Sequence, residues 1–271
     1  MIDWLHWHNE PLLVGGLVFV GWLWALLAGP LRARIAGRAE TSAEAGPVPP
    51  FPRRHAWCFY SALVLFYLAV GSPLDQIGER YLFSAHMAQH LVIMYPVPVL
   101  LLCGLPQWMI DAGLGRAPAR RPLQWLLGTL GCGVVSTLII GLWHAPSLYE
   151  WALQDKLVHV VEHLMFFGAS VLFWWPILSP SRAYPPLGYG ARMLYIFCLE
   201  IAMTPLFAYV TFSANTLYPT YEYAPRLVAD FGPAADQTLA GAMMKLTSMA
   251  VSLLAFGLCF YRWAQTNRDE K

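Results

Sequence analysis

Charged side chains are scarce in this sequence: Asp, Glu, Lys and Arg make up only 12% of its 271 residues. A soluble domain has about 25%. Hydrophobic residues make up 58%, and the mean hydropathy is +0.48. The net charge of +1 offers no strongly basic surface, so no nucleic-acid partner is expected. This composition is typical of an integral membrane protein surrounded by a lipid bilayer.

The sequence also lacks a paired cysteine motif. Its five cysteines all fall inside apolar runs and no Cys-x-x-Cys occurs, so a disulfide framework is not expected. No nucleophile motif of a hydrolase is present either, which favours a protein that is not an enzyme. A zinc-activated water held by histidines and Asp236 is the hydrolytic arrangement left open.

Long apolar runs are abundant, and a membrane-spanning helix needs about 20 mostly apolar residues. The pattern predicts a single integral membrane domain over residues 1–271, an all-α polytopic bundle of seven transmembrane helices. The predicted runs are 11–29, 55–73, 82–104, 123–144, 157–178, 193–213 and 237–262.

The distribution of basic residues predicts the orientation, because Lys and Arg favour cytoplasmic loops. With the N-terminus outside, 13 of the 17 basic residues fall in inner segments, three in outer segments and one within a run. We therefore predict an outer N-terminus and a cytoplasmic C-terminus. The Pro-rich link 30–54 is then cytoplasmic, and residues 214–236 form a long outer loop.

Two histidine pairs occupy the starts of apolar runs. His86 and His90 open the third run, His159 and His163 open the fifth, and His144 closes the fourth. Residues at i and i+4 share one face of a helix. In the predicted topology all five lie near the outer membrane face, with the second histidine of each pair about 10 Å below its helix start. The spacing predicts that these imidazoles converge on one metal ion.

Methionines continue the same layer. Met94 extends the face of the first histidine pair, and Met243 and Met244 reach a similar depth in the seventh run. Imidazole and thioether together suit copper, Cu(I) in particular, whereas carboxylate with imidazole suits zinc or Cu(II). The alternative is packing, which is the usual role of methionine in an apolar helix.

Three charged residues lie within the apolar runs, where a charge is usually paired or functional. Glu162 lies between two histidines and is predicted to orient an imidazole. Lys245 is predicted to pair with Glu162 or Glu200. The alternatives left open are a structural ion pair and histidines that only join neighbouring helices.

Three blocks of this sequence resemble the signature of the CtaG-type membrane proteins, which are assembly factors for cytochrome c oxidase. They are FSAHMAQH (83–90), WHAPSLYEWAL with the following HVVEH (143–163), and DQTLAGAMM (236–244). The resemblance covers roughly residues 55–262. One difference is that the family has Met-Trp and then a nearby proline where this chain has Met243, Met244 and Lys245.

The resemblance implies a non-catalytic role in maturing a haem–copper oxidase of the respiratory chain, by supplying or positioning copper. It implies a bacterial cytoplasmic membrane as the location and an oxidase subunit as partner. A periplasmic copper donor and self-association are left open. The ligands expected for copper are His86, His90, His159 and His163, with His144 and one of Met243 or Met244 completing the site or relaying the ion.

Two other functions are compatible with the same residues. A haem-binding electron-transfer protein would use one histidine from the third run and one from the fifth as axial ligands. A metal- or proton-coupled transporter would use Glu162, Glu200 and Lys245 as its path, although no inverted repeat is evident.

Overall fold

The computed structural model describes residue 7 and residues 9–39, 49–114 and 120–269. Every regular element within these residues is an α-helix, which confirms the predicted all-α fold. The helices are α1 (Pro11–Ala28), α2 (Arg32–Ala39), α3 (Arg53–Gly71), α4 (Pro73–Arg80), α5 (Phe83–Met94), α6 (Pro96–Cys103), α7 (Gln107–Leu114), α8 (Arg120–Leu126), α9 (Thr129–Trp143), α10 (Pro146–Gln154), α11 (Lys156–Leu178), α12 (Tyr189–Phe212), α13 (Pro219–Glu222) and α14 (Pro233–Asp269).

Between five and seven of these segments can cross a bilayer by length and composition. Single helical segments long enough to do so are Pro11–Ala28, Phe83–Cys103, Lys156–Leu178, Tyr189–Phe212 and Pro233–Arg268. Two further spans are bent pairs, α3 with α4 at 43° and α9 with α10 at 68°. Counting each bent pair as one span gives the seven predicted runs. The outer placement of the N-terminus stays a prediction.

Prolines mark the breaks within these spans. Pro73 starts α4, Pro96 starts α6 and Pro146 starts α10. Proline is favoured at the first turn of a helix, but its missing N–H and its ring prevent the preceding helix from running on unbroken. The sequence therefore ends α3 and α9 early and sends their short continuations off at an angle.

The short helices α4 and α10 both contact α13 at one end of the bundle. Tyr221 donates a hydrogen bond to the Gly78 carbonyl at 2.7 Å, and its hydroxyl lies 2.9 Å from that of Tyr149. Tyr218 donates to the His144 carbonyl at 2.9 Å. Burial raises the pKa of Tyr218 and of Tyr221, so both phenols stay neutral and keep their donor protons. These bonds hold the short helices over the ends of α5 and α11.

Polar contacts also fix the last helix, α14, against two others. Asp236 accepts hydrogen bonds from the backbone N–H groups of Phe83 and Ser84, at 2.6 and 3.1 Å, and so caps the start of α5. Further along, Lys245 lies 2.9 Å from a Glu200 oxygen of α12. Of the two partners predicted for Lys245, the structure thus gives Glu200.

Large apolar side chains cover much of the outer surface of the bundle. On α14 they include Leu253, Leu254 and Leu258, each more than half exposed. Such a surface would be unfavourable in water and fits the hydrocarbon of a bilayer. The composition of these helices is that of a membrane protein.

The segments between the spans contain short helices. Part of the link 30–54 is helix α2, which packs against α7, whereas residues 40–48 lie outside the described residues. The segment 214–236 contains α13 and the first turn of α14. The cytoplasmic placement of the link and the outer placement of the loop remain predictions.

Candidate metal centre

Four histidines from α5 and α11 come together in a single cluster, named here the imidazole cluster. The ring centroids of His86 and His90 lie 4.3 Å apart, as do those of His159 and His163. Across the two helices, His86 lies 5.5 Å from His159, and His90 lies 5.4 Å from His163. The predicted convergence of the two i, i+4 pairs is therefore observed, while their binding of a metal stays a prediction.

The nitrogen atoms of the cluster are spaced for a shared ion. The Nε2 atoms of His86 and His90 lie 2.9 Å apart. Two nitrogens bound to one tetrahedral ion at 2.0–2.1 Å would be about 3.3 Å apart. His86, His159 and His163 also offer ligand atoms that all lie within 4.8 Å of one another. Small side-chain rotations therefore suffice to bring three imidazoles onto one ion.

The cluster is buried and leaves ring nitrogens without partners. The four histidines are at most 7% exposed. Four of their nitrogens find no hydrogen-bond partner among the described residues, namely Nδ1 of His86 and His90 and Nε2 of His159 and His163. A buried polar atom without a partner is costly, and such atoms usually mark a water, an ion or a functional site. A single cation contacts one nitrogen of each ring, so it would satisfy those of the four that face it.

Glu162 lies beside the cluster, and no hydrogen bond joins it to an imidazole of the described residues. Its carboxylate is fully buried, its nearer oxygen is 3.9 Å from His90 Nε2, and neither oxygen accepts a hydrogen bond from a described residue. The hydrogen bond predicted between Glu162 and an imidazole is not formed among the described residues. With His86 and His90 it instead forms a second set of potential ligands within 4.8 Å.

Glu79 takes the orienting role that was predicted for Glu162. Its carboxylate lies 2.6 Å from His159 Nδ1. Asp75, one turn earlier on α4, belongs to a further set of potential ligands with Glu79 and His159, and it accepts a hydrogen bond from Gln89 at 2.6 Å. Neither acid is among the residues predicted from the sequence. Their i, i+4 spacing, which places Asp75 and Glu79 on one face of a helix, was the signal that the sequence offered.

A small cavity adjoins the cluster on the side of His144. It measures about 10 Å³, which is just enough for one water molecule or ion. His90, His144, Met94 and Met244 line it together with apolar side chains. His144 Nδ1 donates to the Ile140 carbonyl at 2.7 Å, and its buried Nε2 has no partner in the described part of the chain.

The ring of Phe166 lines this cavity and lies against both His90 and His144. Phe166 stacks on His90 with centroids 4.2 Å apart, and its ring lies 5.7 Å from that of His144. Of the four histidines of the imidazole cluster, only His90 also lines this cavity. His144 is not a fifth member of the imidazole cluster but a potential ligand beside it, with two thioethers in reach of the same cavity.

The remaining predicted residues lie elsewhere. Met243 is half-buried and does not line the cavity, since it precedes Met244 by about 100° of helical rotation. Asp236 uses both oxygens to cap α5, and Glu200 and Lys245 join α12 to α14. None of these four residues lines the cavity or belongs to a described set of potential ligands, so the metal role predicted for Met243 stays a prediction. His6 and His8 lie outside the described residues.

Fold and site together define a polytopic membrane protein with a buried cluster of imidazoles near one end of its helices. The sequence model of the cytochrome c oxidase caa3 assembly factor family (Caa3_CtaG) matches residues 22–266. The chain belongs to this family, as its resemblance to the CtaG-type proteins predicts.

Similar curated proteins are mycobacterial. The chain is 27% identical over 239 residues to the uncharacterized proteins Mb0105 of Mycobacterium bovis and MT0111 of Mycobacterium tuberculosis, covering 81% of this chain and 35% of each relative. It is 25% identical over 228 residues to the uncharacterized protein ML1998 of Mycobacterium leprae, covering 78% of this chain and 32% of the relative. The chain thus spans about a third of the length of these relatives. No solved structure matches it.

Proposed function

We propose that this protein holds a copper ion in the imidazole cluster and delivers it to a cytochrome c oxidase during assembly. The observation that carries the proposal is the set of four buried histidines with four unpartnered ring nitrogens. The family supplies the process, since its members are assembly factors for an oxidase of the haem–copper type. Copper is then cargo, and the protein acts as its chaperone rather than as an enzyme.

Cu(I) fits the local chemistry better than harder cations. Neutral imidazole is a good ligand for Cu, Zn, Fe and Ni, but thioethers select for Cu(I). Met94 and Met244 line the cavity that His90 shares with the cluster. A three-coordinate imidazole site also suits a donor, because an incomplete coordination shell lets the receiving protein add its own ligands before the old bonds break.

The two competing functions find less support in the geometry. A haem needs a pocket of at least about 300 Å³, whereas the cavity beside the cluster measures about 10 Å³. A transport path through Glu200 and Lys245 is disfavoured because these two residues satisfy one another. Glu200 also accepts hydrogen bonds from Ser248 and Ser252, which is the pattern of a structural pair.

The location of the site and the partners of the protein are further parts of this proposal. The site is taken to lie near the outer face of a bacterial cytoplasmic membrane, at the depth at which an oxidase would receive copper. The expected partners are an oxidase subunit as acceptor and a periplasmic protein as donor. Self-association would be visible as a concentration-dependent change of mass in detergent.

Metal analysis of the membrane-purified protein tests the proposal. Mass spectrometry of the purified chain should give about one copper per chain. The copper should be lost in His90→Ala and in His163→Ala but kept in His55→Ala, whose histidine lies at the start of α3, outside the cluster. Full retention of copper in both cluster variants would contradict the proposal. Zinc in place of copper, or a Soret absorption band, would point to the competing metals.

A further inference from the structure

Glu79 connects the imidazole cluster to the surface at one end of the bundle. A depression of about 580 Å³ lies at the end of the bundle where α1, α4, α10 and α11 meet, and Glu79 forms part of its wall. The Glu79 side chain is 23% exposed, while its carboxylate lies 2.6 Å from buried His159. Glu79 therefore touches solvent with one side and the cluster with the other.

The depression does not repel a cation. Arg80 and Lys156 line it, but so do Glu79 and Glu10. Lys156 forms an ion pair with Glu10, which neutralises the charge nearest the start of α11. A positive ion that reaches Glu79 consequently meets a balanced surface rather than a basic one.

Beyond Glu79 the potential ligands form successive sets that overlap by one residue. Asp75, Glu79 and His159 make the first set, and His159 also belongs to the second with His86 and His163. His86 in turn belongs to the third set, with His90 and Glu162, and His90 lines the methionine cavity. Each histidine that ends one set thus begins the next.

We propose that Asp75, Glu79 and His159 form a second cation site, the mouth site, through which copper is loaded into the imidazole cluster. This inference rests on the proposed function, since it concerns how the cluster is filled. The ion advances by ligand exchange, in which one new metal–ligand bond forms as one old bond breaks. Its oxidation state does not change. The proton that His159 shares with Glu79 leaves to water when the ion takes its place.

The chemistry of the sets gives this path a direction. The mouth site has two carboxylates and one imidazole, the cluster has imidazoles, and the cavity adds thioethers. Carboxylates are poor ligands for Cu(I), and imidazole and thioether are progressively better ones. The mouth site therefore binds Cu(I) weakly and releases it quickly, while the ion comes to rest deeper in the protein.

Loading kinetics separate this role from that of a resident ligand. Purified full-length protein is stripped of metal and mixed with the coloured Cu(I)–bicinchoninate complex, and the loss of colour gives both the rate of loading and the final stoichiometry. Glu79→Gln should slow loading about tenfold or more, the range by which charge focusing accelerates association, with the stoichiometry unchanged. Glu222→Gln, an exposed glutamate at the same end of the bundle, is the matched control and should load at the parental rate.

A second variant, Glu79→Asp, distinguishes loss of the carboxylate from a disturbance of the local packing. Glu79→Asp keeps the carboxylate and should recover most of the rate, so a Glu79→Asp protein as slow as Glu79→Gln would overturn the mouth site in favour of a packing effect. Parental loading by Glu79→Gln would also overturn it while leaving copper retention by the cluster intact. Loss of copper at equilibrium in Glu79→Gln would instead make Glu79 a resident ligand and end the proposal. A parental protein that binds no Cu(I) contradicts the proposed function itself.

Discussion

Gly78 lies directly against the backbone of His86. A Cβ atom built on Gly78 would stand 2.9 Å from the His86 Cα and 3.0 Å from its backbone nitrogen. The first distance is shorter than real Cβ atoms show and the second is tighter than most of them, and both contacts are with backbone, which cannot rotate away. Glycine is thus required for α4 to approach α5, and this approach sets Asp75 and Glu79 beside the imidazole cluster.

Gly78→Ala is expected to push α4 away from α5 and to destabilise the protein by about 1–3 kcal/mol, as overpacking usually does. The melting temperature in detergent should fall, and loading of Cu(I) should slow because Glu79 moves from His159. Gly168→Ala on α11 is the control, since nothing lies within 4 Å of its added Cβ. Equal melting temperatures for the two variants would show that the close approach is not required.

Asp236→Asn is expected to lower stability without removing copper. The carboxylate caps α5 through Phe83 and Ser84, and the loss of a helix cap costs about 0.5–2 kcal/mol. Asp230→Asn, at an exposed position in the preceding loop, should leave the melting temperature unchanged. Copper loss from Asp236→Asn at an unchanged melting temperature would instead assign the carboxylate to the metal, as the sequence analysis left open.

Glu200 and Lys245 are expected to stabilise the contact of α12 with α14 and to play no part in copper binding. A double-mutant cycle of Glu200→Gln and Lys245→Met should give a coupling energy of about 0.5–3 kcal/mol, the range for side chains in direct contact. Copper stoichiometry should stay at the parental value in all three variants. A coupling near zero, or copper lost in proportion to it, would contradict the structural role.

Met244→Leu is expected to weaken Cu(I) retention about tenfold, equivalent to ~1.4 kcal/mol, if the cavity thioether holds the ion. The substitution nearly conserves side-chain volume, so the melting temperature should change little. Met243→Leu is the adjacent control, because Met243 does not line the cavity. Competition with a Cu(I) chelator measures both affinities, and a larger loss in Met243→Leu would refute the assignment.

The sequence predicted the features that depend on periodicity alone. The apolar runs gave the spans, and i, i+4 spacing placed His86 with His90 and His159 with His163. The sequence also predicted that the two pairs meet, because both lie at a similar depth below the starts of their helices. Each of these inferences uses only the geometry of a single helix or the thickness of a bilayer.

The features that were missed depend on how helices pack. Glu79 reaches His159 because α4 turns by 43° from α3 and settles on α5 through Gly78. No periodicity encodes that angle. Met244 rather than Met243 lines the cavity because of the rotation of α14 about its own axis. Asp236 caps α5 because α14 packs against the start of that helix.

The ring of Phe166 has a consequence for the membrane itself. It is 1% exposed and lies flat against His90, so the polar column that begins at Glu79 narrows there to a space no larger than one water molecule. A membrane protein that carries a row of polar side chains inward risks becoming a leak for protons and salts. With this apolar ring against His90, the proposed path for copper would be too narrow there to hold a continuous file of water, and the permeability barrier would be kept.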